Sequence, residues 1–158
     1  MAIEIEHKFL LATNNWRAHV SHSTRYRQGY LSALATTSIR VRVSDERAWL
    51  NIKSAVIGSS RHEYEYNIPL ADANELLSNL CRKPLIEKTR HFVNHDGHLW
   101  EIDEFSGDNA GLIVAEIELL AVGEHFSKPA WLGNEVTDDF SYYNNNLSQN
   151  PYSHWRND

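Results

Sequence analysis

Charged side chains recur at every second position through most of this chain, and within a run they mostly share one sign. The runs are Glu4, Glu6 and Lys8; Arg25 and Arg27; Arg40 and Arg42; Lys53; Arg61, Glu63 and Glu65; Lys88 and Arg90; Glu101 and Asp103; Glu116 and Glu118. Residues i and i+2 share a face of an extended strand, so each run puts its charges on one side. Opposite them stand Ile3 and Ile5, Ile39 and Val41, Leu50 and Ile52, Tyr64 and Tyr66, Trp100 and Ile102, Ile117 and Leu119. Short period-two runs bounded by turn residues predict antiparallel strands. Eight are expected: 3–9, 24–31, 37–43, 48–54, 61–68, 86–94, 98–105 and 112–120. Ser44-Asp45-Glu46, Gly58-Ser59-Ser60, His95-Asp96-Gly97 and Ser106-Gly107-Asp108-Asn109 supply turn chemistry between them. Helices are expected over Leu70–Cys81, with Asp72 as N-cap and Pro84 beyond the end, and over Tyr142–Gln149. A further helical turn is expected over Trp16–Ser23.

With no repeat or linker, the 158 residues read as one domain, 1–158. No apolar run reaches the ~18 residues of a membrane span. The opening Met-Ala-Ile-Glu-Ile-Glu reads as a strand rather than a signal peptide, and the single cysteine, Cys81, fits a reducing compartment. The cytoplasm is the expected location, and Cys81 itself reads as a buried structural residue. A net charge of -6 with no basic cluster argues against a nucleic-acid partner. It leaves room for a small polyanion met by locally convergent cations.

On one strand, a charged face is ordinary solvated surface. Across the whole chain that reading weakens, because like charges two residues apart lie only about 6.5–7 Å from each other. A surface tuned for solubility mixes signs instead. Like-sign pairs make sense where something else supplies the opposite charge. Paired carboxylates hold hard divalent cations such as magnesium, and paired Arg and Lys hold phosphate oxygens. Both on one face of one sheet describe a polyphosphate site with metal. An eight-stranded antiparallel sheet can close into a barrel around one small ligand. The charged face would then line the interior, while the apolar face packs against helices or a partner subunit, so a homodimer is one way to cover it.

These residues resemble the CYTH superfamily, also called triphosphate tunnel metalloenzymes. Glu4-Ile5-Glu6-His7-Lys8 is similar to the family's ExExK motif, and Arg27-Gln28-Gly29-Tyr30-Leu31 to its QGYL segment. Ser38-Ile39-Arg40-Val41-Arg42 resembles the RxR strand, Leu50-Asn51-Ile52-Lys53 the TxK strand, and Arg61-His62-Glu63-Tyr64-Glu65 the RxExE strand. Glu87-Lys88-Thr89-Arg90, Trp100-Glu101-Ile102-Asp103-Glu104-Phe105 and Glu116-Ile117-Glu118 follow in order as KxR, ExDxF and ExE. Trp131-Leu132-Gly133, Glu135-Val136-Thr137 and Tyr143-Asn144 complete the pattern near the C-terminus. The likeness spans nearly the whole chain and is greatest to the short bacterial branch acting on inorganic triphosphate.

The resemblance implies a mainly β, eight-stranded antiparallel tunnel with a few helices outside. It also implies hydrolysis of a small-molecule triphosphate, foremost inorganic tripolyphosphate, with Mg2+ or Mn2+. Carried over by position, Glu4, Glu6 and Glu116 would hold the metal. Lys8, Arg40, Arg42, Lys53, Arg61, Lys88 and Arg90 would bind phosphate. Glu63, Glu65, Glu101, Asp103 and Glu118 would hold a second metal or the attacking water, with Glu65, Asp103 and Glu118 placed among the metal ligands and Lys88, Glu63 and Glu118 in the catalytic group. Other readings are a class IV adenylate cyclase, a thiamine triphosphatase, or a module that binds polyphosphate without turnover. One departure stands out: relatives often carry Arg or Lys where this chain has Ser141. The nine histidines offer no zinc-like spacing, and His7 and His62, on the apolar parity, are expected to pack.

Overall fold

The computed structural model describes residues 3–155, and the alternating runs emerge in it as strands. They are β1 (Ile3–Leu11), β2 (Val20–Ala33), β3 (Thr37–Ser44), β4 (Arg47–Ser54), β5 (Ser60–Asn67), β6 (Ile86–His95), β7 (His98–Ser106) and β8 (Ile113–Glu118). A ninth strand, β9 (Leu132–Glu135), has no counterpart in the sequence reading, because Leu-Gly-Asn-Glu offers no alternation. The helices are α1 (Leu70–Asn79) and the short α2 (Asn144–Leu147). The turn expected over Trp16–Ser23 is a 3-10 segment, Asn15–His19, after which the chain is already extended into β2. The N-cap of α1 is Pro69 rather than Asp72, which lies in the first turn, where a carboxylate is favoured by the helix dipole.

Neighbouring strands run β5-β4-β3-β2-β6-β7-β8-β1, all antiparallel, and β1 returns to β5 through Ile3↔His62, Glu4↔Arg61 and Ile5↔Ser60. The sheet is therefore a closed barrel. Beyond β5, the same edge of β1 is taken up by β9, paired at Phe9 and Leu11. That approach requires Gly133, since a Cβ there would stand 2.9 Å from the carbonyl oxygen of Leu10. The β6–β7 hairpin turns on Asp96 and Gly97, both at positive φ (47° and 81°), a geometry that matches the twist of the flanking strands.

The principal apolar packing lies outside the barrel. Val41, Val43 and Ala48 on the outer face of β3 and β4 pack under Ala73 and Leu77 of α1, together with Cys81. Gly29 lets this layer close: a Cβ would meet Cys81 Cβ and Leu85 Cδ2 at 2.8 Å each. On the opposite side, Phe9, Trp100, Ile102 and Ile117 pack beneath Trp16 and Trp131. The outer face of β5 is uncovered, leaving His62, Tyr64 and Tyr66 exposed, so His62 is no packing residue. His7 is partly buried against Phe126 and bonded to Glu135.

Register decides which faces point inward. Gln28 stands opposite Arg42 and Tyr30 opposite Arg40, so the inner face of β2 carries Tyr26, Gln28 and Tyr30. Arg25 and Arg27 point outward, contrary to the reading that every charged face lines the interior; Arg27 bonds Asn74 of α1. At one end of the barrel the interior is apolar. Tyr30, Ile86, Phe105 and Val114 meet Leu147 of α2, which seals that end instead of lying on the outside as α1 does. Leu147 is fully buried, and Leu147→Ala should lower the free energy of urea unfolding by about 2–5 kcal/mol, the range for an emptied core leucine. A loss below about 0.5 kcal/mol, typical of a surface site, would contradict this placement.

Candidate active site

Between the apolar plug and the far end, the barrel encloses a cavity of about 190 Å3. Every one of β1–β8 except β2 lines it with charge, and β2 contributes Tyr30. From β1 come Glu4, Glu6 and Lys8; from β3 and β4, Arg40, Arg42 and Lys53; from β5, Arg61, Glu63 and Glu65. The other half of the barrel supplies Arg90, Glu101, Glu116 and Glu118. Thus twelve of the sequence-predicted site residues converge, together with Glu101, and two do not: Lys88 and Asp103 lie just beneath the lining, fully buried.

Most of these charges are paired. Glu4 accepts from Lys53 Nζ at 3.1 Å and from Arg61 Nε at 3.0 Å. Lys8 Nζ reaches Glu116 at 2.6 Å and Glu6 at 2.9 Å, while Lys53 also meets Glu63 at 3.0 Å. Arg90 pairs with Glu101 and forks onto Asp103, through Nε at 2.8 Å and Nη2 at 3.0 Å. Lys88 donates to Asp103 at 2.8 Å and to Asn144 Oδ1 at 3.4 Å. Both Asp103 oxygens are thereby engaged, so it stands apart from the carboxylates that face the cavity.

Two cations differ. Arg40 and Arg42 form no salt bridge among the described residues, and the Nε–H of each is buried without an acceptor. Burial, with Arg40 and Arg90 close by, pushes Arg42 down to about 10. The π face of Tyr26, 4.7 Å away, gives partial relief.

The acids divide in the same way. Burial works against the Glu4 carboxylate, but Lys53, Arg61 and Lys8 outweigh it and hold it well below the usual range. Glu116 is also held well below, by Lys8, Arg90 and Lys88 acting against desolvation. Glu6 is desolvated and faces Glu116 and Glu4, and it rises to about 7. Its contact with Lys8 fails to prevent this because Glu116 shares the same ammonium at shorter range. Glu118 also stands at about 7, from desolvation and from Glu4, Glu63 and Glu101. Its side chain is exposed at the mouth, so the repulsion carries more weight there than desolvation. Burial pulls Lys88 down, Asp103 resists, and Arg90 and Arg42 add to the fall, leaving it at about 7.

Oxygen-only donors with surplus negative charge suit a hard divalent cation. Glu6 and Glu118 are directly opposed across β1 and β8, and their raised carboxyl groups mark where a cation would be welcome. Among the described residues no three acids already converge as a metal site, because Glu4 and Glu116 are turned towards Lys and Arg.

The C-terminal segment completes the chamber with Tyr143, Asn144 and Asn145, none of them among the residues predicted to form the site. Tyr143 donates to Thr137 O at 2.9 Å, and its ring lies 4.7 Å from Lys8 Nζ. Thr137 Oγ1 accepts from the Lys8 backbone N–H, which ties this segment to β1. Strand periodicity cannot see such residues, since they come from the start of α2 and the residue before it. Ser141 bonds Asp139 and does not line the cavity.

Comparison with known proteins gives a consistent picture. A sequence profile described as the CYTH domain matches residues 2–148. An inorganic triphosphatase of Acetivibrio thermocellus is 45% identical over 156 residues, 99% of each chain. One of Nitrosomonas europaea is 37% identical over 150 residues, covering 92% of this chain and 96% of its own. A crystal structure of an inorganic triphosphatase superposes with a TM-score of 0.66 at 33% identity, covering 94% of this chain and 95% of that one.

The raised Glu6 carboxyl makes stability depend on pH. Between its unfolded value of 4.5 and its folded value of about 7, the folded chain holds more protons than the unfolded one. Its contribution is therefore complete below pH 4.5 and is lost as pH rises through about 7. Glu4 and Glu116 are shifted the other way and titrate below this window. The melting temperature of the metal-free protein should fall between pH 5 and pH 7, Glu118 adding to the effect, and Glu6→Gln should make that slope shallower. A rising slope that the substitution leaves unchanged would contradict the assignment.

Proposed function

The chain belongs to the CYTH family, and from that premise we propose that it hydrolyses a phosphoanhydride of inorganic tripolyphosphate with the aid of Mg2+ or Mn2+. The observation carrying this reading is the pair Arg40, buried, and Arg42, partly buried, in the chamber wall, each with an inaccessible Nε–H and neither with a carboxylate partner among the described residues. Guanidinium groups in that state are receptors for phosphate oxygens, which they bind by charge-assisted, partly bidentate hydrogen bonds. A chamber of about 190 Å3, closed at one end by its apolar plug, suits a short polyanion better than a nucleotide.

In this reading Arg40 and Arg42 grip the chain of phosphates first. Lys8, Lys53 and Arg61, now shared with Glu116, Glu4 and Glu63, extend the clamp as those contacts rearrange. Glu4, Glu6 and Glu116 are the proposed holders of the divalent cation, with Glu65 and Glu118 nearer the mouth available for a second. Such a cation would neutralise phosphate charge and polarise the attacking water. Glu118, poised near neutral pH, is the proposed acceptor of the water's proton, with Glu63 orienting that water. Asp103 fixes Arg90 and Lys88 in place, a role its buried bonds favour over metal ligation. Lys88 supplies positive charge one layer beneath the substrate, where charge gathers in the transition state.

Purified protein should release phosphate from tripolyphosphate with magnesium or manganese and none in EDTA. Turnover of ATP and thiamine triphosphate should be slower by at least about tenfold, a barrier difference of roughly 1.4 kcal/mol. Tripolyphosphate binding without phosphate release under either metal would make the chain a binding module. Cyclic AMP formed from ATP would make it a cyclase.

A further inference from the structure

Inside the barrel, Gln28 presents a physical contradiction. Its side chain is wholly inaccessible, and both amide atoms, Nε2 and Oε1, lack a hydrogen-bond partner among the described residues. An amide buried in that state is unfavourable, whereas leucine or methionine of similar size would fill the place without penalty. Local sequence does not require an amide either, since the outer face of this strand is occupied by Arg27 and Gly29. The explanation lies in what stands beside it.

Gln28 projects from the inner face of β2, directly opposite Arg42 on β3, and Ile86 of the apolar plug stands opposite on β6. Directly opposed residues on one face bring their Cβ atoms within about 5.5 Å. Arg42 Nε–H is itself buried without an acceptor. Two residues along β2, on the same face, Tyr30 lines the chamber, as Arg42 does. The amide therefore sits where the cationic wall meets the plug, beside a guanidinium with an unused donor. A carboxamide suits that junction because it accepts through Oε1 and donates through Nε2.

Gln28 itself lies behind the chamber lining, and we propose that it is a positioning residue: with triphosphate bound, its Oε1 accepts from Arg42 Nε–H and aims that guanidinium at the phosphate oxygens. The amide thereby turns the Arg42 guanidinium towards the anion without adding charge behind a wall that is already cationic. A lysine or arginine at this point would deepen the repulsion among Arg40, Arg42 and Arg90, and a carboxylate would neutralise Arg42 and oppose the phosphate with like charge. The inference rests on the triphosphate reading above.

The test titrates tripolyphosphate into the full chain in EDTA, so that turnover is suppressed, and follows binding by calorimetry alongside melting temperatures. Gln28→Leu should melt at or above the ligand-free wild type and bind tripolyphosphate about tenfold more weakly, the effect of losing one hydrogen bond to a charged group. Gln28→Glu should fold, since its carboxylate pairs with Arg42, and should bind more weakly still. With magnesium restored, the loss should show as a raised KM with kcat within about twofold, the pattern of an interaction made equally with substrate and transition state. Gln28→Leu binding within about twofold of wild type would overturn the proposal, as would a lowered melting temperature with unchanged affinity, which marks a packing residue. If Gln28→Leu does not fold, the affinity of Gln28→Glu decides: undiminished binding overturns the proposal. A wild type that takes up no tripolyphosphate would remove the triphosphate reading itself, and this inference with it.

Discussion

Charge buried inside a barrel must be answered by other charge, and the architecture follows from that constraint. Desolvating an ion is strongly unfavourable unless partners and hydrogen bonds compensate. Here Glu4 binds Lys53 and Arg61, Glu116 binds Lys8 and Arg90, and Asp103 binds Arg90 and Lys88, which joins the side chains of six strands into one lattice through the interior. The apolar faces are thereby sent outwards, where α1 covers one side and the Trp16–Trp131 layer another. Leu147 and its neighbours close one end, so that the charged space is a chamber.

The lattice is deliberately incomplete in two places of opposite sign. Arg40 and Arg42 have no carboxylate partner among the described residues, and Glu6 and Glu118, desolvated and faced by other acids, have carboxyl groups raised to about 7. In the proposed reading a triphosphate with a divalent cation would answer both at once, the anion meeting the guanidinium groups and the cation the acids. The strain of the ligand-free chamber and the proposed affinity for such a pair would then be two views of one charge distribution.

Period-two charge made the barrel and its inside-out character readable, because i and i+2 must share a face whatever the fold around them. The limits of that rule explain what escaped. On β2 the charges, Arg25 and Arg27, follow the same rule on the outer face, and only pairing with β3 shows that Gln28 and Tyr30 face in. Parity cannot tell inside from outside; register does. Tyr143, Asn144 and Asn145 reach the chamber from the start of α2, a helix too short to show a period. Depth is equally hidden: Lys88 and Asp103 alternate like their neighbours, yet they lie behind the lining, because the plug brings Phe105 and Ile86 up to that level.

The central claim is that Arg42 is held in an unfavourable ligand-free state for the sake of an anion. Arg42→Met, which keeps the stem and removes the charge, tests it in one melting experiment with and without tripolyphosphate in EDTA. The ligand-free variant should melt above the wild type, since repulsion from Arg40 and Arg90 and the burial of an unanswered guanidinium are both relieved. It should also lose most of the stabilisation that tripolyphosphate gives the wild type by mass action. A variant that melts lower while keeping the full tripolyphosphate shift would show that Arg42 serves the fold and not the ligand.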